Sequence, residues 1–321
     1  MKIAQVHHYG SPDVLHIEEK EIPEPGVNQI LVKVVASSVT RADTMIRKGE
    51  PKFGRLFLGL TKPKKPAVGT GFSGEVVARG AEVSNFQIGE EVFGELLFSQ
   101  GTAAEFLCIS IDEVVFHKPA GISHSEAAVI CDGFVTSYNF LFKIGQLKKG
   151  QHILINGASG SLGSAAVQLA KYAGARVTAV CSMSNFEMVR KLGADTLIDY
   201  RMSSYWEVAD LCDVVYDAVG LSSYFQANKV LKTTGVYLSP VLTFSTLMGS
   251  VFRSSKVKFA ATGLLKYPEL RDMLERIILL FQQGELKSVI QEEFPLERIQ
   301  EAHRLVDTGH KSGNVVLNIS R

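Results

Sequence analysis

The stretch HILINGASGSLGSAAVQLAKYAGARVTAVCSMSN, His152 to Asn185, constrains the fold of this chain more than any other. An apolar run, His152–Asn156, leads into Gly157, Gly160 and Gly163 at G-x-x-G-x-x-G spacing, and these open into a helix-forming segment, 161–173. A second apolar run, 176–181, then ends at Cys181, directly before Ser182. Strand, glycine turn, helix and strand in that order predict the first βαβ unit of a parallel sheet. The spacing is related to the dinucleotide fingerprint G-x-G-x-x-G. Glycine permits a tight turn, close approach of the backbone to a pyrophosphate, and close packing of helix on strand. The helix start offers amide hydrogens and a partial positive charge to that anion, and Ser159 and Ser161 can add hydroxyl donors. A small-residue turn that serves packing alone is the competing expectation. It is weakened by the turn's place at the head of a long alternating run, where ligands bind at the carboxyl ends of strands.

That run continues with strands predicted at 195–199, 213–217, 235–239 and 256–260 and a helix at 184–192, the rhythm of a doubly wound parallel sheet. Before about residue 120 the signals are different. Short β-branched or aromatic runs such as QILVKVVASSV, GEVVARG and EEVFGEL are separated by Gly, Pro, Asn and Asp, which predicts a mostly antiparallel, barrel-like unit. The tail carries an amphipathic helix, PELRDMLERIILLFQQG, a second helix at 296–308, and strands at 289–294 and 315–319. A chain of 321 residues exceeds what one core usually serves. The expected division is residues 1–122 with 263–321 around an inserted nucleotide-binding domain, 123–262.

A formal net charge of +1 with no long run of one sign argues against nucleic acid or a membrane surface as partner. No apolar run reaches the ~18 residues of a membrane span, and the N-terminus is too polar for a signal segment. The four cysteines are far apart, with no C-x-x-C pair or zinc spacing, and are expected to be reduced packing residues. A cytoplasmic location follows by default. His7, His8, His117, His124, His303 and His310 have no Cys or carboxylate partners at ligand spacing.

The end of the second strand bears on the coenzyme. NADH sites usually place Asp or Glu there to bind the ribose hydroxyls, and such a group would repel a 2′-phosphate. Here stand Ser182, Met183, Ser184 and Asn185, which predicts NADPH, with NADH as the alternative. Arg201, after Tyr200, is the nearest cation. The segment PKFGRLFLGLTKPKKPAVG, 51–69, admits two expectations: a mobile lip for a hydrophobic substrate with Lys62, Lys64 and Lys65 at its rim, or a segment packed on its own domain.

The motifs YGSPDVLHIEE, GFSGEVVARGAEVSNFQIGEEVFG, INGASGSLGSAAVQLAK, VCSMSNFEMVRKLGADTLIDY, VVYDAVG and GHKSGNVVLNI together make the chain resemble the medium-chain dehydrogenase/reductase superfamily, in its zinc-free quinone oxidoreductase branch. The resemblance implies a GroES-like β-barrel domain plus a Rossmann domain with the active cleft between them, commonly as a homodimer. It implies cofactor contacts from Ser159, Ser161, Leu162, Ser182 and Tyr200, and a nicotinamide near Thr136, Ala218-Val219-Gly220, Val241 and Leu242. Asn185 and Asn314 stand where relatives often carry Lys. Zinc-dependent members place Cys in C-x-x-D and His-Glu in G-H-E. This chain has Thr40 in the first motif and Thr70-Gly71 in the second, so no zinc is expected.

A metal-free site suits hydride delivery to a quinone or an α,β-unsaturated carbonyl compound, a small hydrophobic electron acceptor, because the resulting oxyanion is delocalised. Enoyl-thioester reduction, or an NADPH-binding sensor or scaffold with little turnover, are the alternatives. Thr40, Asp43 and Thr136 are candidates for the cleft wall. Helix capping is the competing role for Asp43 and Thr136.

Overall fold

The computed structural model describes residues 1–50, 52–96, 101–241, 256–260, 262 and 265–320, with Phe53 and Phe57 described by their backbone alone. The chain divides into two compact units, Met1–Cys131 with Ser288–Arg321, and Asp132–Lys287. Strands β1 (Lys2–Val6), β2 (Leu15–Glu19), β3 (Gln29–Val39), β4 (Gly71–Arg79), β5 (Glu91–Glu95), β6 (Phe106–Ser110) and β7 (Val114–His117) belong to the first unit. Strands β8 (His152–Asn156), β9 (Arg176–Cys181), β10 (Thr196–Asp199), β11 (Cys212–Asp217), β12 (Leu231–Ser239) and β13 (Val257–Phe259) build the second. The chain then returns to the first unit with β14 (Ile290–Pro295) and β15 (Asn314–Asn318).

In the first unit β3 is the hub. It pairs antiparallel with β4, β6 and β15, and irregularities at Leu31/Val32 and Val34/Ala36 shift its register against β4. Such bulges let one long strand curl, which is how a sheet ordered β14-β15-β3-β4-β5-β7 wraps its apolar face inward. Ile30, Val32, Phe72, Val92 and Leu317 are fully buried in that core. Of the segment 51–69, the residues described from Lys52 onward are tied to their own unit, with the Val6 amide donating to the Pro66 carbonyl at 2.7 Å. The short helix Arg55–Leu58 is held by Arg55, whose guanidinium lies 4.4 Å over the Tyr9 ring and donates to the Gly49 and Lys48 carbonyls. Leu56 and Leu60 nevertheless remain exposed.

The second unit is a parallel sheet in the order β10-β9-β8-β11-β12-β13. All five pairings are parallel, so the order relative to the first strand is 3-2-1-4-5-6, the doubly wound arrangement. Burial explains the composition: Ile153, Leu154, Ile155, Val177 and Ala179 show no exposure because helices cover both faces. The topological switch lies between β8 and β11, the place where such sheets bind ligands.

One sequence expectation needs correction. The helix Tyr267–Gln282 belongs to the second unit, not the first, so the boundaries fall at 131/132 and 287/288 instead of 122/123 and 262/263. Phe281 meets Phe134 edge-on at 4.9 Å, Lys143 pairs with Asp272 at 3.1 Å, and the Lys287 amide donates to Gln168 at 2.9 Å. Helical periodicity shows that a face is apolar but not which core receives it. His124–Ile144 forms a helical run of 21 residues, long and apolar enough to cross a membrane by length and composition alone. Its charged residues hide this in a search for unbroken apolar runs. With 67% of the window buried inside the protein, it has the character of a core helix.

Candidate functional site

At the end of β8 the chain turns on Gly157, whose φ of +80° lies in the left-handed region that favours glycine. The Gly157 and Ala158 amides both donate to the Val180 carbonyl at 3.0 Å, which ties the turn to β9. The helix Ser161–Tyr172 follows at once, with Gly160 as its N-cap. Gly163 is required by packing: a Cβ there would fall 2.1 Å from the Gly157 carbonyl oxygen and 2.6 Å from the Ala158 Cα. Gly160 is different. Its φ of −76° suits any residue, and a Cβ would find only the Gly157 oxygen, at 3.6 Å, within 4 Å. Open space therefore lies before the helix start, the end of a helix toward which its backbone amides point. The donor set and the open approach fit a pyrophosphate. Ser161 is buried, while Ser159 and Leu162 are half-buried.

Across the switch point, β11 ends in Asp217, which is fully buried. Its carboxylate accepts from Asn156 Nδ2 at 2.9 Å, from the Gly220 amide at 3.0 Å and from the Ser222 amide at 2.9 Å. The Tyr237 hydroxyl lies at 2.9 Å from both Asp217 Oδ2 and the Ser222 carbonyl and shares one proton between them. Burial raises the Asp217 carboxyl above its ordinary value, and these donors offset only part of that. One acid thus shapes the loop Ala218–Gly220 and fixes it to the end of β8. The same loop is packed against its neighbours: a Cβ on Gly157 would meet Val219 at 2.6 Å, and one on Gly220 would meet Val241 at 2.5 Å. Val219 and Val241 are partly exposed. Sequence reasoning placed Val219 and Val241 here but missed Asp217, although an acid directly before a small-residue loop at the end of a strand was the available signal. Leu242 lies outside the described residues.

After β9, Ser182 is buried and its hydroxyl is shared with Ser184 at 2.9 Å and with the Asn185 side-chain amide at 3.1 Å. After β10, Tyr200 is exposed and carries the Arg201 guanidinium 5.7 Å above its ring. Thr136 is half-buried at the start of the short helix Thr136–Tyr138; its neighbour Ser137 donates to the Leu162 carbonyl at 2.8 Å, joining that helix to the glycine-turn helix.

The remaining candidates have structural roles. Thr40 and Asp43 form a reciprocal capping box on the helix Arg41–Lys48, with the Thr40 hydroxyl and amide each 2.7 Å from the Asp43 carboxylate. Both are buried, which favours the capping role over a cleft wall. Asn314 is buried in the first unit and donates its side-chain amide to the Val289 carbonyl at 3.0 Å.

Zinc does not fit the residues present. Thr70 and Gly71 stand in place of the His-Glu pair, and a Cβ on Gly71 would lie 2.4 Å from the Ala128 carbonyl oxygen, which leaves no room for a ligand side chain there. Among the described residues no group of three or more His, Cys, Asp or Glu side chains is placed to hold a metal. His7, His117 and His124 each meet a carboxylate that lies far from ligand spacing in the sequence, from Glu18, Glu90 and Glu91 respectively. None of the three brings together a ligand set, and Glu91 also pairs with Lys118 at 3.1 Å.

A 3-2-1-4-5-6 sheet with a glycine turn at its switch point, joined in one chain to a curled antiparallel unit, defines a nicotinamide-dinucleotide oxidoreductase of two domains. Comparison with known proteins agrees. Residues 26–144 match the family model described as alcohol dehydrogenase GroES-like domain, and residues 192–317 match that described as zinc-binding dehydrogenase. The chain is 33% identical to the mitochondrial NAD(P)H oxidoreductase of Mus musculus, over 91% of this chain and 82% of that one. It is 30% identical to the 2-methylene-furan-3-one reductase of Solanum lycopersicum, over 99% and 79%. The solved quinone oxidoreductase of Coxiella burnetii superposes with a TM-score of 0.87 at 30% identity, covering 99% of both chains. The chain belongs to the medium-chain dehydrogenase/reductase superfamily, in its zinc-free quinone oxidoreductase branch.

Proposed function

We propose that this protein is an NADPH-dependent, zinc-independent reductase of quinones or α,β-unsaturated carbonyl compounds. The glycine turn at the switch point carries the proposal, supported by relatives named for NAD(P)H oxidation, quinone reduction and reduction of a methylene-furanone. When bound, the dinucleotide supplies hydride. The chain's part is to hold and orient. The amides of Ser161, Leu162 and Gly163 and the space in front of Gly160 receive the pyrophosphate. The loop Ala218–Gly220, set by Asp217, and Val241 line the approach to the nicotinamide. The loops after β9 and β10 hold the adenosine end through Ser182, Asn185, Tyr200 and Arg201, which present hydroxyl, amide and guanidinium groups suited to a 2′-phosphate. A quinone or enone accepts hydride at carbon and spreads the charge over a conjugated oxyanion, so no metal is needed to polarise it. Protonation follows from solvent.

The proposal includes a homodimer and a reducing compartment such as the cytoplasm, the latter supported by four buried free cysteines. The test is a steady-state panel. NADPH oxidation is expected with 1,4-quinones or enones, unaffected by prior chelation, with no oxidation of ethanol. Tight NADPH binding without turnover on any acceptor would replace the reductase with a binding protein.

A further inference from the structure

The loop after the second strand has no acid in its own sequence, yet the fold brings one to it. Asp199 closes β10 and pairs in register with Cys181, the last residue of β9. Its Oδ2 accepts the Met183 amide at 3.3 Å, and its Oδ1 accepts the Arg201 amide at 2.9 Å. Its backbone carbonyl takes the amides of Met202 and Ser203 at 3.0 and 3.2 Å. A single half-buried side chain thus bridges the two loops that carry Ser182, Asn185, Tyr200 and Arg201. The Cys181 thiol is pushed up to about 11, first by burial and second by the Asp199 charge facing it across the strand ends.

We infer that Asp199 is a positioning and coenzyme-discriminating residue, an inference that rests on the nucleotide-binding proposal above. Its two accepted amide bonds hold the adenosine-binding loops together for either coenzyme. Its negative charge, set beside the groups proposed to hold the 2′-phosphate, opposes that phosphate, which carries close to two negative charges at neutral pH. The chain therefore discriminates in favour of NADPH less than its neutral second-strand loop alone would allow. Ser182, Asn185 and Arg201 favour the phosphate, and Asp199 moderates them.

Two variants separate the clamp from the charge. Asp199→Asn keeps the shape and an oxygen that can accept one of the amides but removes the charge. Asp199→Ala removes both. Dissociation constants for NADPH and NADH are read by fluorescence titration at low and high salt, beside thermal melting. Asp199→Asn should raise the preference for NADPH on the order of tenfold, with a smaller gain at high salt. Asp199→Ala should raise the preference similarly while weakening both coenzymes about tenfold, because the loops lose charge-assisted hydrogen bonds. A parent that binds both coenzymes, with the preference unmoved in both variants, overturns the discriminating role alone. Undiminished affinities in Asp199→Ala overturn the positioning role. A parent that binds neither coenzyme overturns the nucleotide-binding proposal itself.

Discussion

Gly160→Ala separates the demands of a ligand from the demands of the fold. The backbone at 160 is ordinary, and the new Cβ would meet one protein atom at 3.6 Å, ordinary van der Waals contact. Folding stability should therefore change by no more than about 1 kcal/mol, the scale of exchanging an N-cap residue for Ala. The methyl group nevertheless enters the space through which a pyrophosphate must approach the helix amides. Loss of one hydrogen bond to a charged phosphate oxygen costs about 1.5–3 kcal/mol, which is roughly a 10- to 150-fold rise in Kd. Gly163→Ala is the control, since its Cβ would overlap backbone atoms at 2.1 and 2.6 Å. That variant should lose stability by about 1–3 kcal/mol or more, as overpacked sites do. Fluorescence titration with NADPH, run beside thermal melting, checks both. A Gly160→Ala protein that melts like the parent and binds NADPH equally tightly would refute a pyrophosphate at this turn.

Ser182→Asp adds a carboxylate beside the proposed 2′-phosphate and should shift the NADPH-to-NADH ratio of kcat/KM toward NADH by about tenfold or more; an unchanged ratio would remove the phosphate from this loop. His303 is buried, and burial, with the nearby Arg47 charge, lowers its imidazole from 6.5 to about 3. Below about pH 6.5 the unfolded chain takes up a proton that the folded chain refuses until about pH 3, so stability should fall as pH drops through that window, by up to about 1.4 kcal/mol per pH unit. His303→Gln should flatten the dependence of Tm on pH between these limits; an unaltered slope would deny His303 this role. Burial pushes the Cys181 thiol to about 11 and the Cys212 thiol to about 12, and Cys108 is raised as well. Ellman's reagent at neutral pH should therefore find almost no reactive thiol in the native protein and four after unfolding; a fast native reaction would contradict that burial.

Much of the second unit was legible because parallel strands under two helical layers are written as short continuous apolar runs. The runs at 152–156 and 176–181 match β8 and β9 residue for residue. The glycine trio was legible as a motif, but the distinct duties of its members were not. Only the structure shows that Gly157 turns, Gly163 packs and Gly160 leaves room. What escaped was whatever depends on pairing across distance. Asp199 lies 17 residues beyond Ser182 in sequence, and only parallel register sets it beside that loop. Asp217 looks like any strand-end acid until Asn156, Gly220 and Ser222 are seen to converge on it. Asn314, singled out because relatives often carry Lys there, donates its amide to the Val289 carbonyl, a pairing the sequence does not show. The helix Tyr267–Gln282 showed its apolar stripe openly, while the identity of its partner waited on Phe134.

The structure of the protein bound to NADPH tests the central claim most directly. The account predicts pyrophosphate oxygens within hydrogen-bonding distance of the amides of Ser161–Gly163, with the 2′-phosphate between Ser182–Asn185 and Tyr200–Arg201. A dinucleotide bound away from the end of β8, or one whose diphosphate leaves those amides untouched, would contradict it.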